Sequence, residues 1–226
     1  MRQVMERMHM TDVLNLFGMT ETSPIATQTA VTDTLARRVG SVGRVVPHVE
    51  IKIISPDGRI VPRGETGEFC TRGYSVILGY WSDPESTGAA IDEAGWMHTG
   101  DLVNMDDDGY CRVVGRTKDM IKFGGEPVFP RESEELLLMH PLVEEAYVFG
   151  VPHASWGEEV CAWIRCRNAA ALTAVEIRAF CRERIARYKV PRHVRFVDSF
   201  PMTGPGKVRK DLMRTQMTED LGRPSD

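Results

Sequence analysis

From Gly40 to Val114 the apolar positions fall in short runs of β-forming residues, broken at close intervals by turn-forming clusters. The runs are VEIKII, SPDGRIV, GETGEFCTRGYSVILGYW, DEAGWMHTGDLV and DDDGYCRVVG. Val, Ile, Tyr and Phe separated by Asp-Gly and Pro-Asp-Gly predict hairpins, hence a small, mostly antiparallel sheet or open barrel. Beyond Arg116 the pattern changes. PRESEELLLMHP, EAYVFGV, EEVCAWIRC, LTAVEIRAFCRERIARYKVP and HVRFVD suit alternating helices and strands, an α+β module. In the fourth run Thr173 and Glu176 have capping-box spacing, and Ile177, Phe180, Cys181, Ile185 and Tyr188 fall on one helical face. GRTKD at 115 to 119, small or polar between two apolar runs, is the natural boundary. There is no internal repeat, and the tail after Arg214 reads as loose.

Composition narrows the functional classes. The 226 residues carry a formal charge of −4, and their basic side chains are dispersed. That argues against a nucleic-acid footprint or an anionic-membrane patch. The five cysteines, Cys70, Cys111, Cys161, Cys166 and Cys181, form no CxxC pair and have no histidine at finger-like spacing. Buried free thiols are therefore expected rather than a zinc site or a disulfide framework. Met1 to Met10 lacks a signal-peptide core and no run has the length of a membrane span, so the expected location is cytoplasmic. A targeting segment in a longer parent stays compatible with this.

Four motifs carry the chemistry, in this order: NLFGMTET at 15 to 22, HTGD at 98 to 101, VGRTKDMI at 114 to 121 and PGKVRK at 205 to 210. Together they resemble the second half of the adenylate-forming superfamily, which contains acyl-CoA synthetases, nonribosomal adenylation domains and luciferases. The resemblance implies a mixed α+β fold. Its β-rich, open barrel-like part, residues 1–115, resembles the tail of the large AMP-binding domain. A hinge at 116–119 and a small α+β C-terminal lid domain at 120–226 follow. It also implies that the Ser/Thr/Gly-rich loop gripping the ATP phosphates lies outside these residues, so that a missing N-terminal half is needed for full activity.

Adenylation forces a carboxylate against an α-phosphate, so electrostatic stabilisation dominates the problem. By resemblance, Phe17 offers a face to adenine, with Gly18 beside it. Thr20 contacts a phosphate oxygen and Glu21 supplies a hard oxygen to Mg²⁺. Asp101 accepts the ribose hydroxyls, and Arg116 joins it from the other side of the sugar. Trp96, in the longer string GWMHTGD, is expected to pack rather than to bind. Lys118 marks the hinge about which the lid swings between two poses. Gly124 and Gly125 let the pantetheine arm of CoA pass close to the backbone. Lys207 reaches the acyl carboxylate and α-phosphate in the first half-reaction.

The chain departs from the family at several points. GGEPVFP replaces the usual Gly-Gly-Glu-Asn-Ile-Tyr-Pro, so Pro127 removes an N–H near the pantetheine path. Ser133 stands where Ile or Leu is usual, and Pro205 where a small residue such as Thr precedes Gly-Lys. RGYSVILGYW and VFGVPHASWGEEVCAW look most like medium-chain fatty acyl-CoA synthetases. The implied activity is that of an ATP-, Mg²⁺- and CoA-dependent acid:CoA ligase acting on a carboxylic (fatty) acid through an acyl-adenylate. Two other readings stand beside it: an adenylating enzyme for another acid or a carrier-protein acceptor, and a non-catalytic truncated paralogue that binds nucleotide or a partner.

Overall fold

Turn chemistry sets the strand boundaries in the computed structural model, which describes residues 2–167, 172–204 and 206–222. At Pro-Asp-Gly the chain reverses with Gly58 at φ +79°, and at Asp-Asp-Gly with Gly109 at φ +83°, a region that costs glycine little and other residues more. By contact density the chain divides into two units, Met1–Thr117 and Lys118–Asp226.

In the first unit a short helix, α1 (Arg2–Arg7), precedes β1 (Leu16–Phe17) and β2 (Thr27–Gln28). Then come α2 (Leu35–Gly40), β3 (Arg44–Val45), β4 (Val49–Ile54), β5 (Thr66–Gly73), α3 (Pro84–Ala90), β6 (Met97–Met105) and β7 (Cys111–Arg116). Strands β1-β2-β3 form a small antiparallel sheet, and β4-β5-β6-β7 form an antiparallel meander. Neither sheet closes on itself. Ile53, Phe69, Val103, Cys111 and Ala26 make the core, with Phe17, Val42, Ile51 and Val113 packed against it.

Two details differ from the strand pattern expected of this region. The run ending in YSVILGYW leaves the sheet at Gly73, where φ of +152° breaks the extended path, and Leu78 and Trp81 are exposed. Helix α3 then intervenes before β6. Its start is an Asp-Pro signal: the Asp83 carboxylate accepts the Ser86 N–H at 2.9 Å and Pro84 occupies the first turn.

The second unit contains β8 (Ile121–Phe123), β9 (Glu126–Val128), α4 (Pro130–Leu138), β10 (Val143–His153), β11 (Gly157–Cys166), α5 (Ala174–Arg182), β12 (His193–Phe196) and α6 (Lys210–Gly222). The strand order is β10-β11-β8-β9, with β12 added parallel to β11. Alternate residues of β10 and β11 feed two cores. Val148, Val160, Ala162 and Ile164 pack with Leu137 of α4 and Ile177 and Cys181 of α5. Phe149, Val151, Cys161 and Trp163 pack with Met213 of α6. Burial on both faces explains why these strands read as continuous apolar runs.

The capping box forms as its spacing predicts: the Glu176 N–H donates to Thr173 Oγ1 at 3.3 Å, and the Thr173 N–H to Glu176 Oε2 at 2.8 Å. The helix it starts is shorter than its apolar pattern, ending at Arg182. Ile185 and Tyr188 still reach the core, from a bend and from a 3-10 turn at Arg187–Lys189. The segment after Arg214, expected to be loose, is helical to Gly222. It is tied down by Met217 in the core and by Arg195 on Asp220 at 2.8 Å. Ser133 is fully buried, and its hydroxyl donates to the Lys189 carbonyl at 3.2 Å, so the missing apolar volume is replaced by a satisfied polar contact. Pro127 lies on β9, the end strand of its sheet, whose outer edge demands no N–H. Among the described residues no helix is long and apolar enough to cross a membrane.

Candidate active site

The NLFGMTET motif runs from β1 into a 3-10 turn at Thr20–Thr22. Gly18 is required there by space: a Cβ would meet the Pro24 carbonyl oxygen at 1.6 Å. The buried Thr22 hydroxyl accepts the Met19 N–H at 2.9 Å and donates to the Met19 carbonyl, which fixes the turn that presents Thr20 and Glu21. Thr20 is exposed and Glu21 half-buried. Phe17 is half-buried, with its edge against Phe69 at 5.2 Å. It therefore belongs to the core as well as to the surface of the motif.

Glu21 has a partner that sequence spacing could not reveal. The Tyr80 hydroxyl donates to Glu21 Oε1 at 3.0 Å, and the Ile77 N–H to the Glu21 carbonyl at 3.0 Å. Partial burial and the bond to Glu21 push the Tyr80 phenol above its ordinary value, so it stays a donor. Fifty-nine residues separate the pair, and the only signal was the aromatic cluster in GYW.

Asp101 and Arg116 are brought together by strand pairing. Asp101, 5% exposed, lies directly opposite Arg116 in the β6–β7 register, and Arg116 Nε donates to Asp101 Oδ1 at 2.8 Å. That register depends on a bulge. Val103 pairs with Val113, but Leu102 pairs with Gly115, so Val114 is the extra residue and Arg116 is shifted into line with Asp101. Thr99 anchors this part of β6 by donating to the Phe69 carbonyl at 2.7 Å, and Gly100 takes φ +69°. Trp96 packs as expected, its ring centroid 4.4 Å from Lys52 Nζ and 4.6 Å from Arg72 Cζ.

In the second unit Lys118 is exposed in a 3-10 turn at Thr117–Asp119, at the junction of the two units. Gly124 and Gly125, with φ +57° and +91°, form the two-residue loop of the β8–β9 hairpin. A Cβ on Gly124 would meet the Trp156 ring at 2.9 Å, whereas one on Gly125 would meet nothing within 4 Å. Trp156 in turn stacks on Phe123 at 5.4 Å. Lys207 is exposed at the end of a tight loop closed by the Lys207 N–H on Thr203 Oγ1 at 3.0 Å and by the Thr203 N–H on the Lys207 carbonyl at 2.7 Å. Pro205, in the same loop, lies outside the described residues.

One feature of this unit had no motif to announce it. Arg178, Arg182, Arg187 and Arg192, together with Phe123 and Tyr188, line a pocket of about 300 Å³. Its arginines come from α5 and the segment before β12, so only the fold gathers them. Guanidinium groups beside aromatic faces suit a phosphorylated, base-bearing ligand.

Comparison with known proteins identifies the family. The AMP-binding enzyme family matches residues 1–81 and the AMP-binding enzyme C-terminal domain matches residues 132–207. Fold, motif order and both matches put the chain in the AMP-binding, adenylate-forming enzyme family, where it corresponds to the C-terminal portion. Among individual relatives it is similar to YngI of Bacillus subtilis (strain 168), a protein bearing an acyl-CoA synthetase name, with 48% identity over 97% of this chain and 40% of that protein. It is 41% identical to the mitochondrial medium-chain acyl-CoA ligase ACSF2 of Rattus norvegicus, over 97% of this chain and 36% of the ligase. The chain thus spans about two fifths of the length of these relatives. Among solved structures, ATP-bound MatB from Rhodopseudomonas palustris aligns with a TM-score of 0.85 and 35% identity, over 92% of this chain and 41% of MatB. The o-succinylbenzoate CoA synthetase MenE from Bacillus subtilis, in complex with its acyl-adenylate, aligns with a TM-score of 0.83 and 30% identity, over 100% of this chain and 43% of MenE.

Proposed function

We propose that this chain is the nucleotide-closing and lid portion of an ATP-dependent acid:CoA ligase, working through an acyl-adenylate and then a thioester. The observation that carries the reading is the Asp101–Arg116 pair, set face to face by a bulge in the β6–β7 pairing. Asp101 would accept the ribose hydroxyls and Arg116 would hold the carboxylate in that pose. Thr20 would donate to a phosphate oxygen, with Gly18 allowing the close turn and Phe17 offering its exposed part to adenine. Glu21 fits Mg²⁺, since its carboxylate is held by Tyr80 in a half-buried turn, and the cation would offset phosphate charge.

In the lid, residues 120–226 by this reading, Lys207 would neutralise the acyl carboxylate and α-phosphate as they approach. The exposed turn at 116–119, with Lys118 at its centre, would act as the hinge. The arginine pocket supports CoA as acceptor, because CoA carries several phosphates and an adenine ring that match guanidinium and aromatic walls. Gly124 and Gly125 would flank the thiol-bearing arm. The acid is read as a fatty acid of medium length from the similarity to ACSF2. The similarity to MenE, and to an anthranilate CoA ligase of 32% identity and TM-score 0.82, supports an aromatic or other acid as the alternative.

Calorimetric titration of the 226-residue chain with AMP tests the central assignment. Replacing Asp101 with Ala removes a charge-assisted hydrogen bond worth about 1.5–3 kcal/mol, so affinity should fall roughly tenfold to a hundredfold. Unchanged affinity in the variant would refute the ribose role. On its own the chain is expected to form little acyl-adenylate, because phosphate alignment supplies much of the rate in such chemistry. Acid-dependent pyrophosphate exchange by the isolated chain measures this.

A further inference from the structure

A cluster of donor atoms lies on the β5–β6 pairing, three residues along β6 from Asp101. Cys70 and His98 are direct cross-strand partners, and Glu68 is two residues earlier on β5. Cys70 Sγ is 3.6 Å from His98 Nδ1, and Glu68 Oε2 is 3.2 Å from the same nitrogen. All three donor atoms lie within 4.8 Å of one another.

We propose that Glu68, Cys70 and His98 form a binding site for a zinc-class divalent cation, with thiolate, imidazole Nδ1 and one carboxylate oxygen as ligands and water in the fourth position. The geometry carries the proposal. With zinc bonds of about 2.0–2.1 Å to nitrogen and oxygen and about 2.3 Å to sulfur, a tetrahedron has N···O and N···S edges of roughly 3.3 and 3.6 Å. The observed N···O and N···S separations, 3.2 and 3.6 Å, already match these two edges, and all three donor atoms lie within 4.8 Å of one another. A thiolate and an imidazole select such an ion over Mg²⁺, and only one hard oxygen is on offer.

The surroundings hold two of the ligands in place. Glu68 Oε1 accepts the Gly100 N–H at 3.0 Å, which leaves Oε2 turned to the cluster. Asp92 Oδ2 lies 3.7 Å from His98 Nε2, so a carboxylate also faces the outer ring nitrogen and would steady the ring once an ion takes Nδ1. Lys52 Nζ, 3.9 Å from the same Asp92 oxygen and over the Trp96 ring, is the nearby cation and offsets part of the acidic charge. Cys70 is fully buried, whereas His98 and Glu68 are partly exposed and give an ion access. Binding displaces the thiol proton to solvent, and no electron changes hands. The ion would tie β5 to the strand that carries Asp101.

Cobalt(II) titration of the 226-residue chain tests the site, with cobalt as the spectroscopic stand-in for zinc. One equivalent should give the intense visible bands of tetrahedral cobalt and a sulfur-to-metal charge-transfer band, both erased by added zinc. Cys70→Ser should abolish the charge-transfer band, and Cys111→Ser, at a buried thiol elsewhere in the same unit, should leave it. Glu68→Gln should weaken affinity about tenfold or more, on the scale of lost metal-site contacts. No charge-transfer band at stoichiometric cobalt, or one that survives Cys70→Ser, would show that the cluster is a hydrogen-bonded Glu–His pair beside an inert thiol. Circular dichroism checks that each variant folds. If Cys70→Ser does not, Glu68→Gln decides, and unchanged affinity there overturns the proposal.

Discussion

At the scale of single residues, burial decides which side chains can react. Burial pushes the Cys70 and Cys161 thiols up to about 12 and the Cys111 and Cys181 thiols up to about 11. Since the thiolate is the nucleophile, these four should be almost inert in the folded chain near neutral pH. Cys166 is also shifted upward by burial, but it is only half-buried. Brief alkylation of the native, metal-free chain, read by peptide mass spectrometry, should therefore label Cys166 first, with the other four labelled only after denaturation. Equal labelling of all five would mean that the packing around these thiols opens readily.

Elements show why some glycines were readable and others explained only by the fold. Gly124 and Gly125 stand side by side in one hairpin loop, yet they answer to different constraints. Gly124→Ala must accept both φ +57° and a Trp156 ring carbon at 2.9 Å, while Gly125 faces open space. Urea denaturation should find Gly124→Ala destabilised by about 1–2 kcal/mol from the left-handed backbone alone, more if Trp156 does not yield. Gly125→Asn should cost less, because asparagine tolerates this region. If the two behave alike, the Trp156 contact is not a constraint in solution.

The same scale marks the limit of sequence reading. Hairpin turns, the capping box and the two-sided strands of the second unit were legible because each is a local pattern. Helix α3 was missed although Asp83-Pro84 announces it, since SDPESTGAAI at 82–91 lies between two β-rich runs and has too few large apolar residues to show a helical face. The helical end of the chain was missed because its order depends on Arg195 and on core packing far away in sequence. Within the site, Asp101 and Arg116 were named from motifs. Tyr80 on Glu21, the arginine pocket and the Glu68–Cys70–His98 cluster arise from pairing between strands and turns, which spacing does not encode.

For the molecule as a whole, the two units have separate cores, and the junction between them at Thr117 and Lys118 is an exposed turn. If that junction is a hinge, two lysines should fail in opposite ways. This is measurable in a hybrid that carries this chain in place of the matching two fifths of YngI. Lys207→Ala should slow acyl-adenylate formation about a hundredfold or more, on the scale of lost oxyanion-type stabilisation, and spare thioester formation from supplied adenylate. Lys118→Pro should spare the first step and slow the second, because proline fixes φ where the chain must turn. Pyrophosphate release and CoA consumption from preformed adenylate follow the two steps separately. Equal loss of both steps in both variants would remove the hinge and the lysine roles together.

The bulge at Val114 turns chain length into a ruler. Strand pairing in β6 and β7 gives Arg116 its place opposite Asp101 only because one surplus residue is taken up between Val113 and Gly115. A relative lacking that residue would still spell HTGD and GRTKD, and a text search would score it as intact. Its arginine would nevertheless pair one position out of line, and strand alternation would turn it toward the opposite face. The spacing of 15 residues between Asp101 and Arg116 is therefore as diagnostic as the letters themselves. Natural insertions in this stretch should be confined to the Asp106–Gly109 turn and should come in lengths that leave the register beyond it unchanged.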